Sequence, residues 1–141
     1  MKKLTQWDES QTHPEIQRLG KTVLVIEDEA FVRESTCEIL RSAGYHVLQA
    51  ANAVEARRVF SSATTPIDLL VCDAVLPDTN GMCLAQLLRW HSPRLRTIIA
   101  SGYPRSVLRD QFRLADQPQV LSKPYSASLL LAHVKALLKT A

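Results

Sequence analysis

The sequence predicts an α/β fold: an open, doubly wound sheet of five parallel strands with helices on both faces. Two observations carry this expectation. Short apolar runs rich in β-branched residues alternate along the chain with stretches at helical spacing. Most of these runs also stop abruptly on a polar or charged residue, as strands buried on both faces do. Such alternation implies parallel strands joined by right-handed crossovers.

Residues 1–20 stand apart from this pattern. They are polar and non-periodic, interrupted by His13-Pro14 and closed by Gly20, and are expected to form an N-terminal arm preceding a domain over 21–141. Thr22-Val23-Leu24-Val25-Ile26 is the first strand, halted by Glu27-Asp28-Glu29. A helix follows, with Phe31, Ser35, Ile39 and Leu40 near helical spacing and Gly44 beyond its end. Tyr45 to Gln49 reads as the second strand. Asn52 is a candidate cap for a helix carrying Val54, Ala56, Val59 and Phe60.

Asp68 to Cys72 forms the third strand and ends on Asp73. A loop, Leu76-Pro77-Asp78-Thr79-Asn80-Gly81, leads into a helix with Met82, Leu84, Leu87 and Leu88. Thr97 to Ala100 is the fourth strand, closed by Ser101-Gly102, and a short, less apolar helix is expected over 105–115. Val120-Leu121 is a brief fifth strand before Ser122-Lys123-Pro124. Ser126 caps a last helix with Leu129, Leu130, Val134, Leu137 and Leu138 on its apolar side.

In this architecture ligands bind outside the carboxyl ends of the strands, where the strand order reverses. That rule gathers Glu27 and Asp28, Asp73, Ser101 and Lys123 along one sheet edge. Clustered carboxylates repel unless a cation neutralises them, and a hard divalent ion with oxygen ligands suits the task. Mg²⁺ is the expected ion if a phosphoryl group is also received there. Lys123 adds a point positive charge, the Ser101 hydroxyl a donor, and one carboxylate can then act as nucleophile. Alone, each residue has an ordinary explanation: a helix cap, a turn, a strand stop or a loop acid. Together, at the ends of successive strands, they form a site.

Composition narrows the alternatives. With 46% hydrophobic and 22% charged residues the chain is ordinary for a globular domain, and no run of about 18 apolar residues offers a membrane span. The start lacks the apolar core of a secretory signal, so a cytoplasmic location is expected. Cys37, Cys72 and Cys83 have no paired spacing and are expected as reduced core or near-core residues. Arginines gather at Arg89, Arg94, Arg96, Arg105, Arg109 and Arg113, but no aromatics interleave with them, which argues against direct DNA binding at a net charge of only +3.

Residues 21–140 resemble a response-regulator receiver domain of the two-component signalling family, with its flavodoxin-like fold. The marks are Val23 to Glu29, Asp73-Ala74-Val75-Leu76-Pro77-Asp78-Thr79-Asn80-Gly81, Ile99-Ala100-Ser101-Gly102 and Leu121-Ser122-Lys123-Pro124, in that order. The resemblance implies that Asp73 accepts phosphate from a phosphohistidine on a sensor histidine kinase or a histidine phosphotransfer protein. It implies Mg²⁺ held by Asp28 and Asp73 directly, by Glu27 through water and by the Val75 main-chain carbonyl. Ser101 would move to meet the phosphoryl group and Lys123 would hold it. A receiver is not a conventional enzyme; it promotes only its own phosphorylation and dephosphorylation.

Two departures affect behaviour. Three residues before the lysine, where the family usually has an aromatic ring that rotates inward, stands Val120, which leaves the usual switch open; Tyr125 occupies a different family position and is not assumed to replace it. Val75 and Tyr103 flank the expected route of attacking water, so slow self-dephosphorylation is expected. The downstream partner is open, as is the choice between a free-standing receiver and one from a hybrid kinase. The alternative reading is an adaptor of the same fold that binds partners without using Asp73. A flavin binder is disfavoured by the carboxylates, and a phosphohydrolase by Val75 where a second acid would stand.

Overall fold

The computed structural model describes residues 20–104, 106–108 and 119–139. The arm expected over 1–20 lies outside the described residues except for Gly20. So do Arg105, Arg109, Arg113 and most of the helix expected over 105–115, of which only 106–108 are described, and these are helical.

The elements alternate: β1 (Thr22–Ile26), α1 (Ala30–Ser42), β2 (His46–Ala50), α2 (Ala53–Ser62), β3 (Leu69–Asp73), α3 (Gly81–His91), β4 (Arg96–Ser101), β5 (Gln119–Ser122) and α4 (Ala127–Leu138). The five strands form one sheet in the order β2-β1-β3-β4-β5, and all four pairings are parallel. The expected doubly wound architecture is therefore present. After β1 the chain steps outward to β2, then crosses back to place β3 on the other side of β1. The reversal falls between β1 and β3.

Alternation along each strand divides the core in two. Leu24, Ile26, Leu70, Cys72 and Ile99 face α2 and α3, meeting Ala56, Met82, Leu84, Ala85 and Leu88. Val23, Val25, Leu69, Val71, Ile98 and Leu121 face α1 and α4, meeting Cys37, Leu40, Leu130 and Val134. Each fully buried aliphatic side chain contributes roughly 1.5–3 kcal/mol relative to exposure, so both layers hold the sheet.

Helix ends follow local chemistry. Asn52, Asn80 and Ser126 each accept a backbone N–H three residues on, satisfying first-turn donors of α2, α3 and α4. At the end of α1, Gly44 takes φ 101°, which only glycine adopts freely, and Tyr45 N donates to Leu40 O. That bond keeps Tyr45 in the helix-terminating turn, so β2 begins at His46 rather than Tyr45.

Four expectations about helix faces need correction, and the simplest is on α4, where Leu129 is exposed and Leu130 and Val134 are the buried residues. On α1 the buried residues are Thr36, Cys37 and Leu40, whereas Phe31 and Ser35 are exposed. On α2, Val54 points outward. On α3 the packed residues are Met82, Leu84, Ala85 and Leu88, which turns Leu87 partly outward and leaves Cys83 exposed; only Cys37 and Cys72 are core cysteines.

Candidate functional site

Sheet register builds the site. Ile26 lies opposite Cys72, so the next residues, Glu27 and Asp73, emerge side by side at the reversal point. Asp73 lies opposite Ala100, which puts Ser101 one step further on the neighbouring strand. Ser101 in turn lies opposite Ser122, and Lys123 N donates to Ser101 O at 2.8 Å, fixing the base of the lysine. Four strands thus deliver the expected residues to one edge.

Carboxylate oxygens of Glu27, Asp28 and Asp73 lie within 4.8 Å of one another. Glu27 is 4% exposed and Asp73 9%, while Asp28 is open to solvent. Lys123 Nζ bridges the two buried acids, 2.8 Å from Glu27 Oε1 and 3.0 Å from Asp73 Oδ2. Three carboxylates against this one ammonium leave two negative charges uncompensated when all are ionised. Burial pushes the Glu27 carboxyl above its ordinary range; the Lys123 hydrogen bond and the Glu29 amide pull it back, and the Asp73 charge pushes it up again. For Lys123 burial opposes the ammonium, but hydrogen bonds to Glu27 and Asp73 outweigh it and raise its pKa. The donor set is all oxygen, partly buried and short of positive charge, so it fits a hard divalent cation.

The surroundings hold the acids in place. Glu27 Oε2 accepts from Glu29 N, and Arg33 Nη1 donates to the Glu27 carbonyl at 2.9 Å. Val75 N donates to Asp73 Oδ1 at 3.1 Å, which brings the Val75 peptide beside Asp73. Ser101 is 1% exposed, and its Oγ accepts from Tyr103 N at 2.9 Å. Val75 and Tyr103 are more than half exposed and line a cavity of about 340 Å³ with Leu76, Thr79 and Val107. Val120 is partly buried against the α2–α3 side of the core.

Some neighbours of the site make contacts that the sequence did not signal. Arg33 also donates through Nε to Gln49 Oε1, and the Tyr125 hydroxyl meets Thr36 Oγ1 at 2.8 Å. The Asp78 carboxylate accepts from Ala53 N and Val54 N, tying the loop after Asp73 to the start of α2. Only the acid's place in a polar loop hinted at that role. The Ala53 amide, followed by Val54, holds the Asp78 carboxyl below its ordinary pKa. Its unfolded pKa is the ordinary one, so the stabilisation is present above that value and is lost as pH falls through the lower folded one. Melting curves of wild type and Asp78→Asn should differ near neutral pH and converge in acid; a gap unchanged by acid would exclude the charge as its source.

Comparison with known proteins extends this picture. The family model described as the response regulator receiver domain matches residues 23–135. The chain is similar to the sensor kinase CckA of Brucella abortus (strain 2308), 34% identical over 84% of this chain but only 12% of that kinase. It is also 28% identical to the response regulator receiver protein CpdR of the same organism, over 84% of this chain and 97% of that one. Among solved structures, the Thermotoga maritima response regulator TrrA, in complex with Mg²⁺-BeF, superimposes with a TM-score of 0.72. It is 28% identical, over 83% of this chain and 98% of that one.

Proposed function

This chain belongs to the response regulator receiver domain family, the phospho-acceptor modules of two-component signalling, and on that premise we propose that Asp73 is its acceptor. The observation that supports this most is the Lys123 ammonium bridging Glu27 and Asp73 inside a three-carboxylate cluster. Asp28 and Asp73 would hold Mg²⁺ directly, Glu27 through water, and the Val75 carbonyl would complete the set. A similar receiver, TrrA, was solved with that ion and a fluoroberyllate. Bound there, the cation would offset charge on the transferring oxygens.

The chain's own groups do the rest. An Asp73 carboxylate oxygen bonds to phosphorus as the P–N bond of the donor phosphohistidine breaks. The electron pair leaves with the imidazole, which ends as a neutral histidine after protonation. Lys123 leaves Asp73 Oδ2 to pair with a phosphoryl oxygen, and the Ser101 hydroxyl donates to another. The donor on this reading is a sensor histidine kinase or a histidine phosphotransfer protein, and the downstream partner is another protein rather than DNA. The chain promotes only its own phosphorylation and dephosphorylation. Its three free cysteines suit a reducing compartment, the cytoplasm; among the described residues no helix is long and apolar enough to cross a membrane.

The test is to label the chain with acetyl phosphate and Mg²⁺, trap the acyl phosphate by borohydride reduction and map the peptide. Label at Asp73 is expected. A chain that stays unlabelled acts instead as an unswitched adaptor. The exposed Val75 and Tyr103 side chains beside the acceptor should shield the aspartyl phosphate from water. Phosphate release should therefore be slow and should speed up in Tyr103→Gly; decay of the wild type within seconds would remove the shielding role.

A further inference from the structure

The loop that carries Lys123 is short, spanning the residues between Ser122 at the end of β5 and Ala127 at the start of α4. Its two ends are pinned. Lys123 N donates to Ser101 O, and Ser126 caps α4 through Leu129 N. Between them Tyr125 crosses to α1, where its hydroxyl meets Thr36 Oγ1 at 2.8 Å over a separation of 89 residues. Thr36 is 2% exposed, so its hydroxyl has little access to solvent. A hydroxyl buried there without a partner is unfavourable, and Tyr125 supplies that partner. Burial also raises the Tyr125 phenol above its ordinary pKa, so it keeps its proton and its capacity to donate.

One turn earlier on the same helix, Arg33 holds the Glu27 carbonyl. Positions three apart lie on one face of a helix. A single helix therefore grips the carboxylate partner of the ion pair through Arg33 and the ammonium-bearing loop through Thr36. We propose that Tyr125 and Thr36 are positioning residues for phosphoryl transfer: beyond the Ser101 bond at the Lys123 backbone, their mutual bond holds the rest of the lysine loop against α1 so that the ammonium faces Asp73. This rests on the reading of Asp73 as acceptor.

With acetyl phosphate the step is a simple displacement. The Asp73 oxygen–phosphorus bond forms, the bond from phosphorus to the acetyl oxygen breaks, and acetate leaves with the electron pair. The ammonium has to reach a phosphoryl oxygen by side-chain rotation alone. A displacement of its base by about 1 Å can lower the rate by up to about a hundred-fold.

The experiment measures initial phosphorylation by acetyl phosphate across a Mg²⁺ titration, with thermal melting alongside. The proteins are wild type, Tyr125→Phe, Thr36→Val, the double variant and Thr36→Ser. Tyr125→Phe and Thr36→Val should each be slower by about ten-fold, with the half-saturating Mg²⁺ concentration unchanged. The double variant should be no slower than either single one, and Thr36→Ser should recover the wild-type rate. If the bond served packing alone, melting temperatures would fall while rates stayed put. Wild-type rates in Tyr125→Phe and Thr36→Val, or losses that multiply in the double variant, would overturn the inference. A wild type that takes no label at Asp73 refutes the acceptor assignment itself.

Discussion

Asp73→Asn is expected to lose phosphoryl uptake, to below about one-thousandth of the wild-type rate, as removal of a covalent nucleophile does elsewhere. An amide is no nucleophile toward phosphorus, and among the described residues no other carboxylate stands in the same relation to Lys123 and the Val75 amide. The fold should survive the change. Asparagine keeps an acceptor for Val75 N, and its neutrality relieves repulsion with the buried Glu27, whose partner Lys123 remains. The lost pair with Lys123 and the relieved repulsion oppose each other, so melting should shift by only a few degrees. A phosphate-affinity gel run beside a melting curve checks both halves. Uptake that persists in a folded Asp73→Asn protein would sink the assignment.

Gly81→Ala should have the largest effect on stability. A Cβ there would lie 2.0 Å from the Asp73 carbonyl oxygen and 3.0 Å from Cys72 Sγ. Neither neighbour can yield cheaply. Asp73 is paired in the sheet with Ala100, Ala74 N is bonded to Ala100 O, and Gly81 N is bonded to Ala74 O. The methyl group must push α3 off the end of β3. We expect a loss of about 3 kcal/mol, or roughly 10 °C in melting temperature. Since the strain falls on the peptide of the acceptor, phosphorylation should weaken even at temperatures where the variant is folded. A melting temperature within a degree or two of wild type would show that the helix start can relax.

Why the site's outline could be read in the residue order, and its wiring could not, has a physical explanation. Period-two and helical spacing reflect burial, and a strand buried on both faces stops where polarity begins. Glu27, Asp73, Ser101 and Lys123 therefore marked their own strand ends. Side-chain bonds across the fold leave no such periodic trace. Lys123 meets Glu27 across 96 residues, Tyr125 meets Thr36 across 89 and Asp78 meets Ala53 across 25. Each depends on where the sheet places whole elements. Phe31 misled for a related reason: an aromatic at helical spacing looks like core, but the buried side of α1 is set by the neighbouring sheet and runs through Thr36, Cys37 and Leu40. Asp68 lies one residue before β3; its backbone still bonds Thr22 O and Arg96 N, and its side chain accepts from Thr22 N at the start of β1, a role that propensity does not encode.

The unequal settings of the three cysteines make the native chain its own spectroscopic reporter. Burial raises the thiol pKa of both Cys37 and Cys72, which leaves little reactive thiolate at either. Cys83 is exposed, two residues beyond Gly81 in the first turn of α3. A maleimide dye should attach there alone, without any engineered substitution, and watch the acceptor loop from the helix that the loop feeds.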